Sequence, residues 1–122
     1  MENSQFKKQL EERTLAFAIS VVKFCHHLRK IGIPNVLLIQ LLKSGTSIGS
    51  NYREANRAES KKDFIHKIGI VEKEAAETVY WLDIMRQSDM IENDGFTISS
   101  KLHNEAKELL ALFNSISRSS KS

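Results

Sequence analysis

Two glutamates, Glu74 and Glu77, stand three residues apart in the breaker-free stretch Lys73-Glu74-Ala75-Ala76-Glu77-Thr78. On a helix this spacing turns both carboxylates to one side, where they could share acid-base or metal chemistry. A di-iron site of the kind built inside helix bundles needs more: inward carboxylates and two Glu-x-x-His pairs, whose spacing aims two ligands at one metal. None of His26, His27, His66 and His103 follows a glutamate by three, and Asp63 with His66 is a single carboxylate-histidine pair. Cys25 adjoins His26, but neighbours on a helix point about 100° apart, so they do not form a nucleophile and its base. The chain also lacks a His-Glu-x-x-His motif, a phosphate-binding Walker loop, a dinucleotide glycine fingerprint and a Gly-x-Ser-x-Gly elbow. We therefore expect no catalytic residue, metal or cofactor, and read Cys25 as a structural thiol. Glu74 and Glu77 read as groups that specify packing, bonded to a neighbouring helix or paired with Arg13 or Arg53.

The segment Ser44-Gly45-Thr46-Ser47-Ile48-Gly49-Ser50-Asn51-Tyr52 is rich in small polar residues that favour helices poorly, yet it interrupts an apolar helical period. It is either a loop that cradles an anion or a helix packed closely on another through Gly45 and Gly49. A phosphate loop ordinarily follows a strand, and none is in sight, so close packing is the better reading. Ser44, Ser47 and Asn51 would then hydrogen-bond inside, with Glu74, Glu77 and Thr78 on a facing helix. An unpaired buried polar group costs about 1–3 kcal/mol. Tyr80 and Trp81 cannot both share the stripe of Thr78 and Leu82. At least one of them lies near the surface, and self-association through these aromatics is the leading explanation.

Charge is divided unevenly. Residues 1–60 hold nine Lys and Arg against five acids, and residues 61–122 nine against ten, so a +4 half precedes a −1 half and the total is +3. Lys23, His27 and Lys30 stack at i, i+4 and i+7, with Arg29 and His26 beside them, while Arg53 and Arg57 stack further on. Copies assembled around an axis would join such patches into a basic ring for nucleic acid.

Four helices must position these groups. The 122 residues include only five Gly and one Pro, and no strand signal appears. Leu10, Thr14, Phe17, Val21, Phe24, Leu28 and Ile31 form the first apolar stripe; Leu37, Leu41, Ser44, Ile48, Asn51, Ala55 and Ala58 the second. Phe64, Ile68, Val71, Ala75, Thr78, Leu82 and Met85 make the third, and Leu102, Ala106, Leu109, Phe113 and Ile116 the fourth. Asn3 or Ser4 is expected to cap the first helix, Gly32 and Pro34 to separate it from the second, and Ser60 to cap the third. Asn93-Asp94-Gly95 reads as a turn. The spacing predicts an all-α, up-down-up-down antiparallel four-helix bundle in one domain, with helices over about 4–31, 34–58, 61–90 and 98–117 and a frayed Ser-rich tail over 117–122. The single cysteine, the absence of a signal-like start and the lack of a membrane-length apolar run lead us to expect a cytoplasmic protein without a membrane partner.

The run Gln40 to Ala55, followed by Ser60, Asp63-Phe64 and Lys67, then Lys73 to Thr78 and Trp81-Leu82, resembles the bacterial four-helix-bundle family of 23S rRNA intervening sequence proteins. The resemblance extends from Phe6 to Phe113. Members are similar to the accessory variability proteins of diversity-generating retroelements. The resemblance implies a homopentamer with a basic surface that binds RNA or DNA and a reverse transcriptase as partner, and Lys43 fits the basic residue that often precedes the serine in the family's pattern. The expected nucleic-acid residues are then Lys23, His27, Arg29, Lys30, Lys43, Arg53 and Arg57. The alternative is a scaffold whose basic face meets an acidic protein.

Overall fold

The computed structural model describes residues 3–122. It contains helices α1 (Ser4–Lys30), α2 (Asn35–Ala55), α3 (Lys61–Gln87) and α4 (Asn93–Lys121). Each packs on the next in sequence, and α4 returns against α1 over the smallest contact of the four. This is the expected up-down-up-down bundle.

The helix ends follow from local chemistry. The Asn3 side chain accepts a hydrogen bond from the Phe6 N–H at 2.8 Å and so caps α1. At its other end the Ile33 N–H reaches the Leu28 carbonyl and the Gly32 N–H the Arg29 carbonyl. That double closure needs a left-handed residue, and Gly32 supplies it at φ 87°. Ser60 caps α3 by accepting from the Asp63 N–H at 3.0 Å. Helix α2 stops at Ala55, three residues before the expected Ala58, and α3 stops at Gln87, short of position 90, where Asp89 adopts φ 60°.

Helix α4 is longer than expected at both ends. Asn93-Asp94-Gly95 is its first turn and not a separate loop: Asn93 takes the left-handed φ of 52°, and Gly95 is buried where a Cβ would lie 2.9 Å from Ile91. The Ser-rich tail is helical to Lys121 and does not fray. Ile116 and Ser117 are buried, Ser120 donates to the Ile116 carbonyl at 2.7 Å, and Lys61 Nζ reaches the Ser122 carbonyl at 3.4 Å. Tertiary contact thus holds residues whose intrinsic helix preference is low.

The core is mainly apolar and encloses a few hydroxyls, among them those of Thr14, Ser44 and Thr78. Its largest fully buried side chains include Tyr52, Phe113, Leu28, Leu38 and Leu41, and the Tyr52 and Phe113 rings meet edge to face at 5.2 Å. In α2 the buried positions are Leu38 and Tyr52, where the expected stripe has Leu37 and Asn51. Gly45 and Gly49 do bring α1 and α2 together. A Cβ on Gly45 would stand 3.0 Å from Val21, and one on Gly49 2.9 Å from Thr14 Oγ1.

Candidate nucleic-acid interface

The polar seam falls in two places. Ser44, Gly45, Gly49 and Thr78 are buried, whereas Ser47, Asn51, Glu74 and Glu77 are half-exposed on the outer groove between α2 and α3. Their hydrogen bonds run along their own helices and do not cross between α2 and α3. Ser44 donates to Leu41, Ser47 to Lys43, Asn51 to Ser47 at 2.8 Å and Thr78 to Glu74 at 2.8 Å, all to carbonyl oxygens one turn back. Short side chains in a closely packed helix reach these carbonyls before they reach a neighbour.

Neither Glu74 nor Glu77 finds the expected arginine. Arg13 turns to α4, where its Nε and Nη2 donate to both oxygens of Glu105 at 2.7 Å, and Arg53 lies 3.7 Å from Glu11. The two glutamates have no hydrogen-bond or ion-pair partner among the described residues. Burial raises the Glu74 carboxyl above its ordinary value and the Glu77 charge adds to this, while Lys73 and Lys43 oppose it. Tyr80 is 59% exposed, Trp81 is half-buried, and their rings meet edge to face at 5.4 Å.

The predicted cations are all exposed, but they occupy two regions. Lys23, His27, Arg29 and Lys30 lie on the last turns of α1, and Lys43 stands on the facing part of α2. Arg53 and Arg57 belong to the opposite end, about 15 Å or more from Lys43 at 1.5 Å per residue. The hairpin region stands out electrostatically: residues 14–52 contain Lys23, Arg29, Lys30 and Lys43 and not one Asp or Glu. That gap in the acids was available in the sequence, although a count over the first 60 residues hides it. Within α1 and α2 a phosphate meets no like charge along this run, and the nearby acid is Glu74 of α3, which interacts with Lys43.

Cys25 is buried, with its Sγ 3.8 Å from the Leu38 carbonyl it faces. Burial pushes the thiol up to about 11, against a smaller opposing effect of Arg29. A cleft at the other end of the bundle is lined by Phe6, Ala55, Phe64 and Ile116 with Lys7 and Lys61, and it includes none of the predicted site residues. Among the described residues no group of three or more His, Cys, Asp and Glu could hold a metal, and no helix is long and apolar enough to cross a membrane.

Sequence reasoning missed an apolar surface on the same hairpin. Leu15, Ile19 and Val22, at i, i+4 and i+7, are 48%, 47% and 48% exposed, and Ile39 on α2 is 42% exposed. Their period is a second stripe beside the core stripe of α1, and it carried the signal.

Comparison with known proteins agrees with this architecture. A solved structure from Bacteroides thetaiotaomicron VPI-5482, a protein with unknown function from the S23 ribosomal protein family, superposes with a TM-score of 0.79 at 37% identity, covering 87% of this chain and 95% of that one. No curated protein matches. The model of the 23S rRNA-intervening sequence protein family matches residues 7–121, nearly the whole bundle including the tail of α4. With the fold, the α2 and α3 motifs and this match in agreement, the chain belongs to the 23S rRNA-intervening sequence protein family.

Proposed function

We propose that the protein is a non-enzymatic, oligomeric four-helix bundle that binds RNA or DNA through the hairpin end of α1 and α2. The observation that carries this reading is the acid-free run 14–52 with its four cations, to which His26 and His27 add donors. A cation-rich surface on two adjacent helices suits a phosphate backbone. Arg53, tied to Glu11, and Arg57 beyond it are peripheral to this surface. The resemblance to retroelement accessory proteins supports a pentameric assembly and a reverse transcriptase as a further partner, in a cytoplasmic setting.

Titration of labelled RNA and DNA over a range of salt tests the reading. Four phosphate contacts per copy give a slope of about −3 to −4 in log K against log[salt]. The combined variant K23A/R29A/K30A/K43A should abolish binding and R57A should leave it nearly unchanged. No binding at about 50 mM salt, or equal binding by the quadruple variant, would sink the proposal. The apolar stripe on the same hairpin favours a second reading, a scaffold for an acidic protein, in which no nuclease-sensitive nucleic acid co-purifies.

A further inference from the structure

The cleft at the end of the bundle opposite the hairpin has no part in the function proposed above. Its volume is about 790 Å³, within the roughly 300–1,000 Å³ of pockets that enclose a ligand. The walls come from the first turns of α1 and α3, the end of α2 and the later turns of α4. Phe6, Phe64 and Leu112, one from each of three helices, pack on the core by one side and are half-buried, with the other side bordering the cleft.

The rest of the lining is polar. Seven of its fifteen residues are Ser or Asn, so a plain hydrocarbon chain would lie against hydroxyls and amides that it cannot satisfy, whereas a peptide backbone offers them donors and acceptors. Ser119 and Ser120 give their protons to the Ile116 carbonyl, which leaves both hydroxyl oxygens able to accept. Asn56 Nδ2 donates to Glu11 Oε2 at 2.9 Å, and its Oδ1 is buried without a hydrogen-bond partner, so a donor is missing from this wall.

Charge decides which part of a peptide fits. Lys7 and Lys61 line the cleft, and no Asp or Glu does. Lys61 Nζ meets the Ser122 carbonyl at 3.4 Å, but the half-buried Lys7 ammonium has no hydrogen-bond or ion-pair partner among the described residues. Glu11 and Asp63, acids of the adjoining turns of α1 and α3, are engaged by Arg53 at 3.7 Å and Lys67 at 3.1 Å. A free carboxylate supplies the counter-charge that Lys7 lacks, and a charged amino terminus would be repelled.

We propose that this cleft captures the free C-terminus of a partner polypeptide whose last side chain is apolar. The carboxylate pairs with Lys7, the last side chain rests on Phe6, Phe64 and Leu112, and the peptide N–H groups meet the Ser and Asn lining. This is terminal-carboxylate capture, with a lysine where other proteins use backbone N–H groups. Lys7 and Lys30 stand 23 residues apart on α1, about 35 Å at 1.5 Å per residue, so the cleft and the cationic hairpin do not compete for space.

The test is titration with a fluorescent peptide ending in Gly-Ser-Ala-Leu with a free carboxylate, read by anisotropy and by amide NMR of the protein. The amide signals of Ser60, Lys61, Ser115 and Ser119 should move, and those of Lys23 and Lys30 should stay. The same peptide as its C-terminal amide, and K7A with the free acid, should each bind about tenfold more weakly, as the loss of one half-exposed charged hydrogen bond implies. S119W, on an exposed part of the wall, should fill the cleft and abolish binding with helical content unchanged; S115W repeats the test should S119W lose its fold by circular dichroism. No response at about 1 mM peptide, or equal affinity for acid and amide, would overturn the proposal. Binding that K7A leaves unchanged would overturn the placement of the carboxylate. Decanoate that binds where the peptide does not would overturn the peptide as occupant and give the cleft to acyl carboxylates.

Discussion

Alanine substitution at two glycines of the same bundle should change stability in opposite directions. Gly69 lies in α3 with no atom within 4 Å of the point where a Cβ would lie, so G69A gains helix propensity alone, about 1 kcal/mol. Gly49 receives the same gain, but its Cβ would stand 2.9 Å from Thr14 Oγ1, 3.1 Å from Thr14 Cβ and 3.4 Å from the Thr14 backbone carbon. Thr14 is buried, and its hydroxyl is held by the Leu10 carbonyl at 2.9 Å and the Glu11 carbonyl at 3.0 Å, so it cannot rotate away without losing those bonds. Overpacking of this kind costs about 1–3 kcal/mol, which offsets the propensity gain or exceeds it. The difference between the two variants removes the common propensity contribution and leaves the packing cost. At about 3–5 °C per kcal/mol for a chain of this size, G69A should melt about 3–5 °C above wild type and G49A at or below it. Adding T14A to G49A removes the Oγ1 contact but leaves Cβ, so rescue should be partial. Thermal and urea unfolding measure all four proteins. If G49A proves as stabilising as G69A, the close approach of α1 and α2 at this point is wrong.

Glu74 keeps its proton to a higher pH in the folded chain than in the unfolded one, so its ionisation costs stability at neutral pH, and the cost fades as pH falls through the folded and then the unfolded pKa. E74Q should therefore raise stability at pH 7 by less than about 1 kcal/mol, given the half-exposed site, and change nothing near about pH 3 in urea titrations. Cys25, buried and titrating at about 11, should react with a disulfide reagent at pH 8 at least about 100-fold more slowly in the native protein than in denaturant; prompt native labelling would contradict its burial. R13M removes the paired contact with Glu105, whose Arg13 side chain is 40% exposed, and should cost under about 1 kcal/mol, shrinking further as salt is added.

Helix number and order were legible from the apolar period, helped by side-chain caps at α1 and α3, and the first and third stripes fail only at one end, where Ile31 is 57% exposed and Phe64 is half-buried. The second stripe was displaced by one residue at two positions, Leu38 and Tyr52 being buried where Leu37 and Asn51 were expected, and its last member, Ala58, lies beyond α2. Helix α2 packs on α1 through Gly45 and Gly49 and also packs on α3, so its buried arc is wide, and a single stripe drawn through it picks Asn51 over Tyr52. The tail misled for a related reason: serine signals weak helix preference, but the Ile116 anchor lies outside that signal. The ion pairs of Arg13 and Arg53 were not legible, since each joins helices through residues far apart in the chain. The cation set was visible as residue types, yet only the fold separates the hairpin group from Arg53 and Arg57.

The thin contact between α1 and α4 has a kinetic consequence. Every other helix interface joins sequence neighbours, whereas this one joins the first helix to the last, with Arg13 and Glu105 separated by 92 positions. Loop-closure entropy makes such a seam the last to form when local hairpins can assemble first. Interactions made after the folding barrier change the unfolding rate and leave the folding rate nearly alone. Loosening this seam should therefore shorten the lifetime of the native state without slowing its formation, and it would open the bundle between its first and last helices.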